Sequence, residues 1–310
     1  MGKRRNRVFR VGCAHHLYLK AQDGNVLFYR TEDYVFYLTL FFVLAKRYGI
    51  EIEAFCIMFN HIHAFVKPTE ASVFRAFVKE LQRVFSVEYG KEYGYSGSIF
   101  MPCGYAPKSS RKSILSCLLY IWNNPVAGKL TARAVEYKWN LLAYTDCDCP
   151  FSEKLLKREA GSRMRKALRM VDYFCGHGQY LDYTRQQRIY HGLDGMEKKQ
   201  IVDYIICRYN PVDKEAVTRR FGSFRTALTA MDSNTGAEHD LTESWEDYSV
   251  YTRMLRTVAR SGTDYYRFRF GKMSGDGNAV LCRLLSAIPG MTPRHLQRFL
   301  HLAPLRERDS

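Results

Sequence analysis

His61 and His63 stand one residue apart in the run Phe59-Asn60-His61-Ile62-His63-Ala64-Phe65-Val66, a largely apolar segment with the composition of a β-strand. Successive strand side chains point to opposite faces, so the two imidazoles share one face while Ile62, Ala64 and Val66 share the other. The second face can pack into a core. The first presents two nitrogen donors, part of a divalent-metal shell that another side chain, water or a phosphate oxygen could complete. Two histidines packed without a ligand would leave the same pattern, so this segment alone leaves both readings open.

A second group of reactive side chains lies in Ser113-Ile114-Leu115-Ser116-Cys117-Leu118-Leu119-Tyr120-Ile121-Trp122-Asn123-Asn124-Pro125. Ile114, Leu118 and Ile121, flanked by Leu115, Leu119 and Trp122, recur at helical spacing, and Ser113, Ser116, Cys117, Tyr120 and Asn124 take the other side. Tyr120 and Asn124 are one helical turn apart and so share a face, and Pro125 is expected to end the helix just beyond them. A phenol and an amide oxygen are presented together. A tyrosine at a core edge and an asparagine at a helix end would look the same.

Together the two segments resemble the REP-associated tyrosine transposases, relatives of the single-tyrosine HUH transposases of bacterial insertion sequences, the IS200-like family. The likeness runs from about Val11 to Tyr144. It takes in a histidine-bearing first strand (His15, His16), a helix ending in Arg47-Tyr48-Gly49, the strand pair around Met58-Phe59-Asn60-His61, the Tyr120 helix running into Asn124-Pro125-Val126, and a Tyr-x-Trp at Trp139. The resemblance implies that His61 and His63 bind a divalent metal, Mg2+ or Mn2+, with Asn124 as third ligand, and that Tyr120 is the nucleophile. It also implies a ferredoxin-like antiparallel sheet with helices, the HUH palm, and a single-stranded or hairpin DNA partner, with His16 and Asn60 among the expected DNA contacts. Two departures stand out. Phe59 occupies a position where the family usually has proline, and Asn124-Pro125-Val126-Ala127-Gly128-Lys129-Leu130 replaces an Asn-Pro-Val-Arg-Ala-Gly-Leu run. The first alters a turn and the second a helix exit.

The chemistry follows from the residue types. A tyrosine that attacks a DNA phosphodiester forms a 5′-phosphotyrosine and frees a 3′-hydroxyl, provided a cation neutralises the charge that develops on the phosphate. Phenol has a pKa of about 10, so phenolate leaves more readily than an alkoxide and a 3′-hydroxyl can later attack the adduct and rejoin strands. The expectation is a metal-dependent endonuclease and strand transferase. A non-catalytic regulator that binds hairpin DNA and retains the fold is the alternative. A nucleotidyl hydrolase of the His-x-His-x-His type is disfavoured, because Phe65 stands where the third histidine would be.

Composition fits a polyanionic partner. Lys and Arg number 47 against 31 Asp and Glu, a formal net charge of +16, which supplies a long-range, salt-dependent attraction to phosphates without specifying sequence. Basic residues cluster at Lys3-Arg4-Arg5-Asn6-Arg7, at Lys108-Ser109-Ser110-Arg111-Lys112 just before the tyrosine helix, and along Arg163 to Arg169. Lys108, Arg111 and Lys112 are therefore expected to contact DNA, although any single charge run can be a solvated face. The cysteines, nine in all, include no C-x-x-C pair, which points to reduced thiols in the cytoplasm and away from a zinc ribbon or disulfide scaffold. Cys147-Asp148-Cys149 is expected to be a free-thiol loop. No apolar run is long enough for a membrane span, and a monomer or homodimer in the cytoplasm is expected.

These residues need a scaffold, and hydrophobic content of 46% allows a sizeable core. The pattern predicts a strand near 11–20, a turn at Asp23-Gly24-Asn25 and a helix from Thr31 to about Tyr48. Strands near 50–58 and 61–67 follow, then a helix from about Ser72 to Gly90, a short strand around Ile99, and the tyrosine helix. That order suits an α+β domain over 1–148 with the helices on one face and the histidine strand central. Beyond it the pattern becomes helical, with a basic connector at 149–195 and a helical region at 196–310. There Asp213 and Ser223 are candidate caps, and Thr292-Pro293 opens a last helix after the Pro289-Gly290-Met291 turn. Helix, glycine turn and basic helix suggest a helix-turn-helix in which Arg294, His295, Gln297 and Arg298 could enter a DNA groove. A small bundle that only packs on the first domain fits equally well.

Overall fold

The computed structural model describes residues 7–212, 214–232, 246–262 and 275–302. Strands β1 (Ala14–Lys20), β2 (Glu51–Ile57), β3 (His61–Lys67) and β4 (Gly104–Lys108) form an antiparallel sheet in the order β2-β3-β1-β4. β3 is central, as its unbroken apolar face requires. Register places Tyr18 opposite His63 and Lys20 opposite His61, so His16, Tyr18, Lys20, His61 and His63 share one face. Leu17, Leu19, Ile62, Ala64 and Val66 make the other.

Both faces are covered, where the sequence pattern suggests helices on one side only. Helices α1 (Thr31–Arg47) and α2 (Ala71–Tyr93) cover the Leu17 face, with Phe41 and Phe42 against Phe55 and Phe74 against Tyr105. Helix α3 (Arg111–Ala127) lies on the histidine face and brings the Tyr120 ring beside His16 and His63. The reason lies in α3 itself, whose second half is buried on several sides from Cys117 to Pro125 and therefore needs partners beyond its apolar stripe.

Two boundaries also differ. The segment at Ile99 forms no named strand; Phe100 makes an isolated bridge to Ala21, and the fourth strand is Gly104–Lys108. Pro107 masks that strand in the sequence, but β4 is an edge strand, where a missing N–H is tolerated. Pro125 lies inside α3 rather than after it. The helix ends directly beyond, where Gly128 N–H donates to Asn124 O and Leu130 N–H to Pro125 O.

The rest of the described chain is helical: α4 (Ser162–Gly176), α5 (Tyr183–Tyr190), α6 (Gly195–Tyr209), α7 (Lys214–Phe221), α8 (Phe224–Asp232), α9 (Ser249–Arg260), α10 (Gly275–Ser286) and α11 (Pro293–Leu300). Ser223 caps α8 by accepting from Thr226 N–H, and Thr292 caps α11 by accepting from His295 N–H. Asp213 and Lys3 to Asn6 lie outside the described residues. Helix α1 is buried from Asp33 to Ala45 because α5 and α6 cover the side the sheet leaves open. Buried carboxylates tie the regions together. Asp33 accepts from Tyr29 N–H, Arg30 N–H and the hydroxyls of Tyr93 and Tyr183; Asp203 on α6 accepts from Lys138, Tyr144, Phe151 N–H and Ser152. Each is held by several donors, which offsets the cost of burying its charge. No described helix is long and apolar enough to cross a membrane.

Candidate nucleophile and metal site

Three elements deliver the reactive groups. β3 supplies His61 and His63, the neighbouring β1 supplies His16, and α3 lays Tyr120 and Asn124 across them. The five side chains are buried, with exposures of 4%, 0%, 1%, 2% and 1% respectively. The Tyr120 ring meets His63 edge-on at 5.3 Å and His16 at 5.7 Å between centroids. His16 Nε2 lies 2.9 Å from His63 Nδ1, so one of these nitrogens donates to the other. His61 Nε2 lies 3.3 Å from Asn124 Oδ1, and Asn124 Nδ2 donates to Tyr120 O at 3.2 Å. Since a backbone carbonyl only accepts, that last bond orients the amide with its oxygen toward His61.

Burial pushes the His63 pKa well below the usual histidine value, and the nearby His61, His16 and Lys20 add to the shift. A neutral imidazole is the form that binds metals. His63 Nε2 is buried with no hydrogen-bond partner among the described residues. Such an orphaned atom is costly unless a ligand satisfies it. Among the described residues no group of three or more His, Cys, Asp or Glu side chains is arranged to hold a metal ion. A cation here would rest instead on His61, His63 and the Asn124 amide oxygen, with the rest of its shell from water or phosphate. The orphaned nitrogen and the inward-facing amide oxygen fit that donor set.

Residues 11–118 match the family model Transposase IS200 like. The IS200-like segment contains His16, His61 and His63 and ends at Leu118, short of Tyr120 and Asn124. No curated protein matches the chain. Among solved structures, a REP-associated tyrosine transposase bound to a REP hairpin aligns with 16% identity and a TM-score of 0.41, over 47% of this chain and 85% of that one.

Around the IS200-like segment the remaining candidate residues fall into distinct settings. Lys108 is buried at the end of β4, whereas Arg111 and Lys112 are exposed on the first turn of α3. Asn60 is buried with both ends of its amide engaged, Nδ2 with Gly24 O and Oδ1 with His61 Nδ1. His16 faces His63 and Tyr120 rather than solvent. Arg294, Gln297 and Arg298 border a cleft of about 460 Å³ together with Lys20, Gly24 and Met101, and Lys20 is the strand partner of His61. Within that cleft Arg298 is paired with Glu246, and His295 is buried beside the same carboxylate. On α4, Arg163, Arg165, Lys166 and Arg169 are exposed.

One neighbour of the candidate site carries no sequence signal. Tyr248, 9% exposed, sets its ring 5.7 Å from His61 and its hydroxyl 3.5 Å from His61 Nδ1. Its N–H donates to Gly128 O at the exit of α3, where a Cβ on Gly128 would lie 2.7 Å from the Tyr248 ring. Tyr248 belongs to no motif, and its proximity to the histidines arises only from folding.

Proposed function

We propose that the protein is a metal-dependent endonuclease and strand transferase for single-stranded or hairpin DNA, acting through a 5′-phosphotyrosine on Tyr120. The convergence of the Tyr120 phenol on the His16 and His63 rings, one helical turn from the Asn124 oxygen that faces His61, carries this reading. His61, His63 and Asn124 would hold Mg2+ or Mn2+, which when bound supplies positive charge to the phosphate. α3 would hold the Tyr120 oxygen for attack on the scissile phosphorus, and burial of the site would limit water that competes as a nucleophile. The leaving 3′-hydroxyl retains the ability to attack the adduct, since phenolate is the better leaving group. Arg111, Lys112, Arg294 and the α4 cations supply sequence-independent grip. With the reactive side chains buried, DNA entry requires the residues covering them to move.

That same burial of Tyr120 favours a second reading, a regulator that binds DNA without cutting it. One experiment separates the two. The full chain is incubated with single-stranded hairpin oligonucleotides and Mn2+ or Mg2+ and resolved on a denaturing gel. A protein-linked DNA band that needs metal and disappears in Tyr120→Phe supports the transferase; binding without any adduct under all conditions overturns it.

A further inference from the structure

We infer that Asn60 is a positioning residue that keeps the His61 proton on Nδ1, so that Nε2 offers a lone pair to a cation shared with Asn124. The inference rests on the metal-dependent function proposed above and assigns a role to a side chain that no ligand set includes.

Gly24 O can only accept, so the Asn60 amide must turn its Nδ2 toward it, at 2.9 Å. That orientation leaves Asn60 Oδ1 facing His61 Nδ1 at 2.7 Å. An amide oxygen can only accept, so the ring proton belongs on Nδ1. His61 Nε2 then carries a lone pair, and at 3.3 Å it confronts Asn124 Oδ1, whose own orientation is set by Asn124 Nδ2 donating to Tyr120 O. Two acceptors thus face each other in a buried site. The opposite tautomer would relieve that pair but would set two acceptors against each other at the shorter Asn60 contact; only a ring carrying protons on both nitrogens could donate to both amide oxygens. A cation takes the place of that second proton, accepting a lone pair from Nε2 and another from Asn124 Oδ1.

The Gly24 carbonyl that anchors this relay is itself braced. Gly24 has a φ of +72°, and a Cβ there would lie 2.9 Å from Arg298 Nε, so the guanidinium packs directly on its backbone. Arg298 is held in turn by Glu246, and its carbonyl accepts from Val26 N–H. The far helical region therefore reaches the His61 tautomer through Arg298, Gly24 and Asn60, while Tyr248 walls the Nδ1 side of the ring. Hydrogen bonds of this kind to a ligating imidazole fix its orientation, and their loss costs about 10- to 100-fold in metal affinity.

The test uses the full chain labelled with ¹⁵N-histidine, with the His61 signal assigned by its loss in His61→Gln. Long-range ¹H–¹⁵N spectra of the metal-free protein are expected to show His61 protonated on Nδ1; protonation on Nε2 alone in the unmutated protein overturns the inference without recourse to any variant. Asn60→Ala is expected to move the proton to Nε2 and to weaken Mn2+ binding, followed by the EPR signal of free Mn2+, by about 10- to 100-fold. Asn60→Asp keeps an acceptor toward Nδ1 but loses the donor to Gly24 O, so it should restore the tautomer and only part of the Mn2+ affinity. An Asn60→Ala protein with unchanged tautomer and unchanged Mn2+ affinity overturns the inference. A protein that shows the tautomer and the Mn2+ response yet forms no DNA adduct leaves the role of Asn60 standing and overturns the transferase reading instead.

Discussion

Tyr120 and Tyr248 both lie against the histidines of β3, but they arrive from regions that obey different rules. Tyr120 sits on a helix that follows directly from an edge strand of the same sheet, so a short connection and the apolar pattern of α3 suffice to place it. Tyr248 lies 187 residues from His61 and depends on a set of distant contacts: its own N–H on Gly128 O, Asp247 near Lys129, Tyr251 against Phe59, and Tyr251 stacked on Phe299. The sheet region assembles the groups that could react. The far helical region encloses them and braces their orientation. Candidate groups can thus be gathered by one segment and still owe their geometry to another.

The largest expected effect tests that division directly. Tyr120→Phe removes the attacking oxygen and should abolish covalent DNA attachment, on the order of 10³-fold or more, whereas Tyr248→Phe should change adduct formation by no more than about threefold. Equal losses in the two variants, measured as adduct yield on a denaturing gel, would break the comparison. Next is the tie between the regions. Asp203→Ala leaves Lys138, the Tyr144 hydroxyl and Phe151 N–H without their shared acceptor, and urea unfolding should register a loss of about 3 kcal/mol. A loss under about 1 kcal/mol would mean that the junction is held by apolar packing instead.

A smaller effect distinguishes two arginines one turn apart on α11. Arg294 is exposed at the cleft, so Arg294→Ala should lower the salt dependence of DNA binding by about one counterion. Arg298 is engaged by Glu246, so Arg298→Ala should act mainly on stability and leave the salt slope nearly unchanged. The reverse result would move the DNA path to the buried side of the helix. The mildest effect is on pH dependence, to which His15 in the first region and His295 in the far one add beside the buried His63. Burial lowers the pKa of His15, which also accepts from Arg10 N–H, and of His295, where Glu246 partly opposes the shift. Below about pH 6.5 the unfolded chain then binds more protons than the folded one, so stability falls as pH drops from 7 toward 5 and levels off below the folded pKa values. His15→Phe, which can keep the stacking on Phe9 and the tilted contact with Phe74, should flatten that slope in melting curves; a steeper slope would contradict the assignment.

Much of the first region was legible because its signals are local. Alternation marks β3 and puts His61 and His63 on one face, and helical spacing stacks Asn124 on Tyr120; in the far region only such local signals as the caps of α8 and α11 could be read. The failures in the same region are also instructive. Pro107 hid β4, because a proline is acceptable only once the strand is known to lie at an edge, and Pro125 suggested a stop that came two residues later. Lys108 looked like a surface cation in a basic run, yet it points into the protein from the strand end.

The sequence by itself determined most of the elements and the side chains each of those presents, because pleat and helical pitch are properties of the local backbone. It could not determine which face α3 would cover, nor that Arg298 would brace Gly24, Asn60 would face His61, or Tyr248 would close beside it. Those outcomes depend on pairings between residues far apart in the chain, each set by where apolar surfaces meet and by which buried donors find acceptors. Periodicity carries no information about such partners. The tertiary structure decided them, because only in the packed state is water removed and every buried polar atom obliged to find a match.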